Sequence, residues 1–318
     1  MSGFLAQGRW RPGWHDTRAT GGKFVRPHSG FRARVTADGS SGYRAEPGRY
    51  HLYVSLACPW AHRVLIMRAL KGLGEAIPAS VVEPVMDPQG WAFSRERPDT
   101  ANGFSHLHEA YTAAQPDYSG RVSVPVLWDT RTRTIVNNES GDIVRMLNRE
   151  FDAFAASDAD YYPEALRPQI DAINGFVYDN VNDGVYRCGF ASTQAAYDLA
   201  FFRLFGALDR LEDILARSRY LLGPRITEAD WRLFATLVRF DAVYHGHFKC
   251  NRNRLADFHH LSNYVRDLYQ VPGVAATVDL DHVRRHYYMS HPHLNPSRVV
   301  AHGPVADFGA PHDRGRFH

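Results

Sequence analysis

Apolar positions along this chain recur with two periods, and the switches between them mark out its elements. His51 to Ala57, HLYVSLA, is an alternating apolar run of the kind a strand makes. A Cys-Pro-Trp-Ala turn follows, and then Val64, Leu65, Met67 and Leu70 recur near one face, which predicts a helix. Ala79 to Val85 and Val122 to Trp128 predict two more strands, with Thr132 to Val136 as a hairpin partner. Tyr111 begins a short helical region. Ser140 to Arg149 predicts a helix with Asp142 in its first turn, where an acidic residue suits the helix dipole. From residue 164 to about 280 the pattern is mostly helical. Ile170, Ile173 and Val177 share a face, and Tyr197, Phe201, Phe202, Leu204, Phe205, Leu208 and Leu211 outline a long amphipathic helix. Thr227 and Asp230 have capping-box spacing, flanked by Ile226 and Trp231 as a hydrophobic staple, so Asp230 is expected to be a folding element.

The alternation of strands and helices up to about residue 147, then helices alone, predicts an α/β domain followed by an all-α domain. The expected division is an N-terminal arm over 1–50, an α/β domain over 51–150, a helical domain over 160–281 and a polar C-terminal tail over 282–318. The arm is rich in Gly, Pro, Arg and Ser with no lasting periodicity, yet Trp10, Trp14, Phe24 and Phe31 imply that it wraps onto a neighbouring surface.

A length of 318 residues suffices for two such cores, and 44% apolar and 22% charged residues are ordinary for a globular chain. The net charge is only +3 and no basic run stands out, which argues against a nucleic-acid partner. No stretch approaches the length of a membrane span and no signal peptide is evident, and three cysteines show no framework spacing. The expectation is a cytoplasmic protein with no membrane partner.

Cys58 carries the candidate chemistry. It stands at a strand-to-helix junction, with Pro59 suited to the first helical position. Its sulfur is expected to face the positive end of the helix, which favours the thiolate, and His62 and Arg63 add charge in the first turn. A buried, inert thiol is the plain alternative. This is where thioredoxin-type folds place a reactive cysteine. A second cysteine at position 61 is absent, so a one-cysteine mechanism resolved by an external thiol is expected. Pro125, in or just before a strand, predicts a cis Val124–Pro125 bond, with a strand-edge proline as the alternative.

CPWAHR after a strand, Gly90-Trp91, SVPVLWD from Ser123, NNES from Asn137, NDGVYRCGFA from Asn182 and HYYMSHPHLNP from His286 occur in this order. Together they resemble the glutathionyl-hydroquinone reductases, the Xi-class, omega-like glutathione transferases, over about Trp10 to Pro304. The arm is similar too, with Gly22, Phe24 and Arg26 as GxFxR and Ser29, Phe31 and Arg32 as SxFR. The resemblance implies a thioredoxin-like domain followed by a helical glutathione-transferase domain. It implies glutathione as co-substrate and S-glutathionyl-hydroquinones as substrates, without a metal, and a homodimer built on the helical domain.

Residue by residue, the resemblance makes Cys58 the nucleophile, Tyr186 the proton donor, and Tyr244 and Tyr287 supports of the thiolate, with Tyr288 an adjacent alternative. Trp91 would stack near the tripeptide. Arg121, Val122, Ser123 and Val124 would supply backbone and charge, and Glu139 with Ser140 would hold the γ-glutamyl end. Amides at a helix start bind a carboxylate, and Glu139 can accept from an ammonium group. A plain N-cap at Asn138 or Ser140 is compatible with this, and Arg121 as a surface charge is the alternative at that position. The tail histidines line a pocket in this reading and do not form a metal cluster. The sequence contains Ser123 where the family commonly has Thr, and Cys188 where it has Ala or another residue. An omega-like thioltransferase or dehydroascorbate reductase is the rival enzyme, and a non-catalytic binding module of the same fold is the rival outside catalysis.

Overall fold

The structure is a computed structural model and describes residues 3–317. In chain order its elements are β1 (Gly3–Ala6), β2 (Arg9–Pro12), β3 (Tyr50–Val54), α1 (Pro59–Leu70), β4 (Ala79–Val81), α2 (Leu107–Ala114), β5 (Gly120–Arg121), β6 (Val126–Asp129), β7 (Thr134–Asn137) and α3 (Ser140–Arg149). There follow α4 (Arg167–Val177), α5 (Gly184–Gly189), α6 (Gln194–Arg217), α7 (Glu228–Leu237), α8 (His259–Tyr269) and α9 (Leu280–Ser290). Two compact units emerge. One comprises residues 3–14, Pro27–Ala159 and Ala276–Val300; the other comprises His15–Arg26, Asp160–Ala275 and residues 301–317.

The first unit is built on a sheet of order β4-β3-β6-β7. β3 is central, and Tyr50, Leu52, Tyr53 and Val54 are all fully buried, because both faces of the sheet are covered. Its parallel pairing with β4 needs a crossover, which α1 supplies, while β6 and β7 add antiparallel strands. α1 packs on α3, and α2 on β7. This is the thioredoxin-like order.

Several strands are shorter than their patterns. β4 stops at Val81, because from Glu83 onward the backbone turns to a loop, the Glu83 N–H donating to the Ala92 carbonyl (2.9 Å). The run from Val122 to Trp128 is not one strand. Pro125 brings no N–H to a ladder; β6 begins only after it, and β5 pairs instead with β1 in a second sheet of order β2-β1-β5. The Val124–Pro125 peptide is cis, as expected.

The arm is more regular than its composition implies. β1 and β2 form a hairpin turning on Gln7 and Gly8, both at positive φ (49° and 72°). The type I′ two-residue hairpin loop requires that conformation, and Gln-Gly is a weaker signal for it than Asn-Gly or Asp-Gly. At the other end, residues expected as a polar tail form α9, capped by Asp279, whose side chain accepts from the His282 N–H (2.8 Å). Its buried face is His282, Val283, His286, Tyr287 and Ser290, a helical repeat written mostly in polar letters.

In the second unit α6 buries Leu204, Phe205, Leu208 and Leu211 as its pattern predicts, but Phe202 is 73% exposed. Two residues before Leu204, it falls on the opposite side of the helix. The capping box at α7 forms as expected: Asp230 is fully buried and accepts from the Leu221 and Thr227 N–H groups (2.9 and 2.8 Å) and the Tyr264 hydroxyl (2.9 Å). Among the described residues no helix is long and apolar enough to cross a membrane.

Candidate active site

Cys58 is the N-cap residue of α1, extended (φ −78°, ψ 119°) and half-buried, with Pro59 at the first helical position. Its N–H donates to the Ser55 carbonyl (3.2 Å), and the Ser55 hydroxyl both accepts from the Ala57 N–H (3.2 Å) and meets His282 Nε2 (3.3 Å). The turn carrying the thiol is therefore pinned from both sides. Cys58 Sγ donates to the Val124 carbonyl (3.4 Å). The two basic residues expected beside the thiol each make further contacts. His62 is fully buried with Nε2 at 2.8 Å from Thr277 Oγ1, and the buried Arg63 guanidinium lies 4.6 Å from the Trp60 ring centre.

The segment leading to Pro125 is held by its neighbours. Arg121 donates to the carbonyls of Gly3 and Gly13 (3.1 and 3.0 Å) and lies over the Phe4 ring, and burial pushes its pKa down. Its charge thus serves the arm hairpin. Val122 and Val124 are buried. Between them, the Tyr111 hydroxyl donates to the Ser123 carbonyl (2.8 Å) and accepts from the Ser123 N–H (3.2 Å) and Asn138 Nδ2 (3.1 Å). A single buried phenol thus links the Ser123 backbone to the head of α3. Tyr111 lies inside α2, and nothing in its sequence surroundings singles it out.

Glu139, and neither Asn138 nor Ser140, is the N-cap of α3: its Oε1 accepts from the Gly141 N–H (3.2 Å). Ser140, the first helical residue, is buried. The arm docks beside them. The Ser29 hydroxyl donates to Glu139 Oε2 (2.9 Å), the Phe31 N–H to Asn138 Oδ1 (3.0 Å), and Arg32 pairs with Asp142 (2.6 Å). These contacts account for the SxFR residues.

Trp91 is 7% exposed and stacks on His286, ring centres 4.7 Å apart at 19°. His286 Nδ1 donates to the Pro84 carbonyl (2.9 Å), and burial lowers its pKa to about 4, so the ring is neutral. Its edge meets the buried Tyr287 (5.4 Å). Tyr288 is half-buried, and burial raises its pKa. From the sequence His286 is expected only as one of several tail histidines lining a pocket, and its spacing of four from His282 on one helix is the signal that singles it out.

In the second unit Tyr186 sits on α5 in an aromatic enclosure of Phe248 (5.4 Å), Phe190 (5.7 Å) and Tyr244 (6.0 Å). Arg26 lies over its ring at 4.7 Å. Cys188 and Cys250 are both buried, and burial pushes the Cys250 thiol up. The structure thus joins Cys58 to Val124, Trp91 through His286 to Tyr287, and Tyr186 to Tyr244. The tail histidines meet ring to ring, His286 with His291 (5.5 Å) and His291 with His293 (6.0 Å), while among the described residues only His259, His260 and Asp313 bring three ligand-capable atoms together, with Arg316 beside them.

The family model for the glutathione S-transferase N-terminal domain matches residues 57–150, and that for the C-terminal domain matches residues 194–267. Glutathionyl-hydroquinone reductase YqjG of Escherichia coli is 52% identical over 98% of both chains. Its glutathione-bound structure superimposes with a TM-score of 0.91, covering 99% of this chain and all of that one. Glutathionyl-hydroquinone reductase PcpF of Sphingobium chlorophenolicum is 53% identical, over 95% of this chain and 96% of its own. The Xi-class transferase of Natrialba magadii, 48% identical, superimposes with a TM-score of 0.93 over 99% of this chain and 97% of that one. A thioredoxin-like half, a helical half and near full-length identity above one half leave one assignment: the chain belongs to the glutathionyl-hydroquinone reductases, the Xi class of the glutathione S-transferases.

Proposed function

We propose that this protein reduces S-glutathionyl-hydroquinones to hydroquinones with glutathione as co-substrate. The observation that carries the reading is Cys58: a half-exposed sulfur at the start of α1, beside the Val124 backbone, within a chain of this family. The positive end of α1 favours its thiolate.

The carbon–sulfur bond of the aromatic adduct does not break readily, so a ring carbon is protonated first, giving a keto tautomer. Tyr186 supplies that proton. The Cys58 thiolate then attacks the glutathionyl sulfur; the carbon–sulfur bond breaks, its electron pair returns to the ring, and hydroquinone leaves. Glutathione thiolate attacks the resulting Cys58–glutathione disulfide, releasing glutathione disulfide and restoring Cys58. Tyr244 and Tyr287 support the thiolate.

Glutathione is held by the Val124 backbone, the head of α3 at Glu139 and Ser140, and the Trp91 region. Val124 suits this role, since among the described residues its N–H donates to no protein acceptor. Ser140 offers an amide at a helix start, where a carboxylate binds, and Glu139 offers a carboxylate to an ammonium group. The protein is a cytoplasmic homodimer formed through its helical half, and the exposed Leu199 (42%) and Phe202 on α6 are apolar surface for such an interface.

The test is intact mass after mixing the protein with a glutathionyl-hydroquinone. A glutathione adduct on Cys58 that vanishes when glutathione is added, with hydroquinone released, is expected. Turnover of simple mixed disulfides alone would mean a thioltransferase, and no adduct with either substrate would mean a binding module.

A further inference from the structure

Of the GxFxR residues of the arm, Gly22 and Phe24 are buried in the second unit and Arg26 is half-buried, and none has a part in the chemistry described so far. The stretch that carries them is tied to Ser192 at two points: the Ser192 N–H donates to the Gly22 carbonyl (3.0 Å), and Thr17 Oγ1 meets Ser192 Oγ (2.7 Å). Phe24 is 3% exposed and sets its edge against Phe190 (5.3 Å), which in turn contacts Tyr186. Arg26 then lies with its guanidinium carbon 4.7 Å from the centre of the Tyr186 ring.

That cation is fixed. Its Nε donates to Asp183 Oδ1 at 2.7 Å, and Asp183 is one turn before Tyr186 in the chain. Asp183 also accepts from Arg187 (3.0 Å), so two guanidinium groups share one buried carboxylate. The pair of charges on that carboxylate leaves a net positive balance near the phenol. Among the described residues, the titratable groups around the Tyr186 enclosure include Arg26 and His15 from the arm, Asp183 and Arg187 from the segment around α5, Tyr178 beside Arg26, Tyr244 across the enclosure, and His247 stacked on Phe248. The two arginines carry the permanent positive charge of this set.

We infer that Arg26 is a positioning residue for the reaction: stacked on Tyr186 and anchored by Asp183, it stabilises the negative charge that develops on the phenol as it gives up its proton. A cation over an aromatic face is attracted to the ring quadrupole, and the attraction grows when the ring becomes a phenolate. The contact also fixes the plane of the ring, and so the direction of its hydroxyl. The inference rests on Tyr186 being the proton donor.

The experiment compares Arg26→Met, Arg26→Gln, Arg26→Lys and Tyr186→Phe in steady-state assays with a glutathionyl-hydroquinone across pH 5–10. Loss of the cation is expected to lower kcat by up to roughly tenfold, the scale of a partly buried cation–π contact. KM for glutathione should stay within about twofold, since that site lies elsewhere in the chain. The alkaline limb of kcat/KM should move in Arg26→Met and Arg26→Gln and be restored by Arg26→Lys. A folded Arg26→Met or Arg26→Gln enzyme with wild-type kcat and an unmoved alkaline limb would overturn the inference. If both fail to fold, Arg26→Lys decides: near-wild-type kcat supports the charge-based role, and a tenfold loss in a folded enzyme opposes it. Tyr186→Phe separates the two levels of argument. Full activity in that variant removes the proton-donor role itself, whereas its inactivity beside wild-type Arg26 variants removes only the role of Arg26.

Discussion

The Ser29 hydroxyl donates to Glu139 Oε2 at 2.9 Å, across 110 residues of chain. The other carboxylate oxygen caps α3 through the Gly141 N–H. A residue of the arm therefore orients a carboxylate proposed to meet the ammonium group of glutathione. Ser29→Ala should raise KM for glutathione a few-fold and leave kcat nearly unchanged, the pattern of lost ground-state binding. Glu139→Ala should raise it more and also cost about 1 kcal/mol of stability through the lost cap. Initial-rate kinetics together with urea unfolding separates the two effects; equal kinetic behaviour of both variants would argue against Glu139 as a ligand.

Three histidines of the first unit give a pH dependence of stability. Burial lowers the pKa of His51 to about 4, of His286 to about 4 and of His282 to about 3, against an ordinary value of 6.5. Between these values and 6.5 the unfolded chain binds protons that the folded chain does not. Stability is therefore full above about pH 6.5 and falls as pH drops toward 4. At pH 5 each histidine should remove about 2 kcal/mol. Thermal unfolding followed by circular dichroism should show a markedly lower Tm at pH 5 than at pH 7.5. His286→Phe, which removes one titrating group, should flatten that slope; an unchanged slope would assign the loss to other groups.

Asp230 shows what was legible in the sequence and why. A capping box is local, its two residues three apart, so Thr227 and Asp230 could be read directly from spacing. The same holds for Cys58 before Pro59 and for the bounds of α3. Tyr111, Ser29 and Arg26 were not legible as site residues, because their partners lie 12, 110 and 157 positions away. α9 was hidden for another reason: its buried face is made of His, Tyr and Ser, which an apolar count passes over. Since four groups donate to the buried Asp230 carboxylate, Asp230→Ala should cost about 3 kcal/mol by orphaning them. Chemical denaturation should show this loss with kcat per folded molecule retained. A loss of kcat in folded protein would give Asp230 a role beyond folding.

Gly189 bears on the Tyr186 enclosure through a contact that only glycine permits. A Cβ at this position would lie 2.2 Å from Phe248 Cγ, inside any real contact distance. Phe248 packs against Tyr186 (5.4 Å), Tyr244 (5.5 Å) and Phe190 (4.9 Å), so it cannot shift without disturbing the proposed proton donor. Gly189→Ala should therefore lower kcat for glutathionyl-hydroquinones by about tenfold or more, since small misplacements of a reacting group are costly. Overpacking should also remove about 1–3 kcal/mol of stability. Formation of the Cys58–glutathione adduct from a simple mixed disulfide needs no ring protonation, and it should proceed at the wild-type rate. Stopped-flow adduct formation with both substrates distinguishes these cases. Equal slowing with both would mean that the damage is general, and equal wild-type rates would mean that the enclosure does not govern the proton transfer.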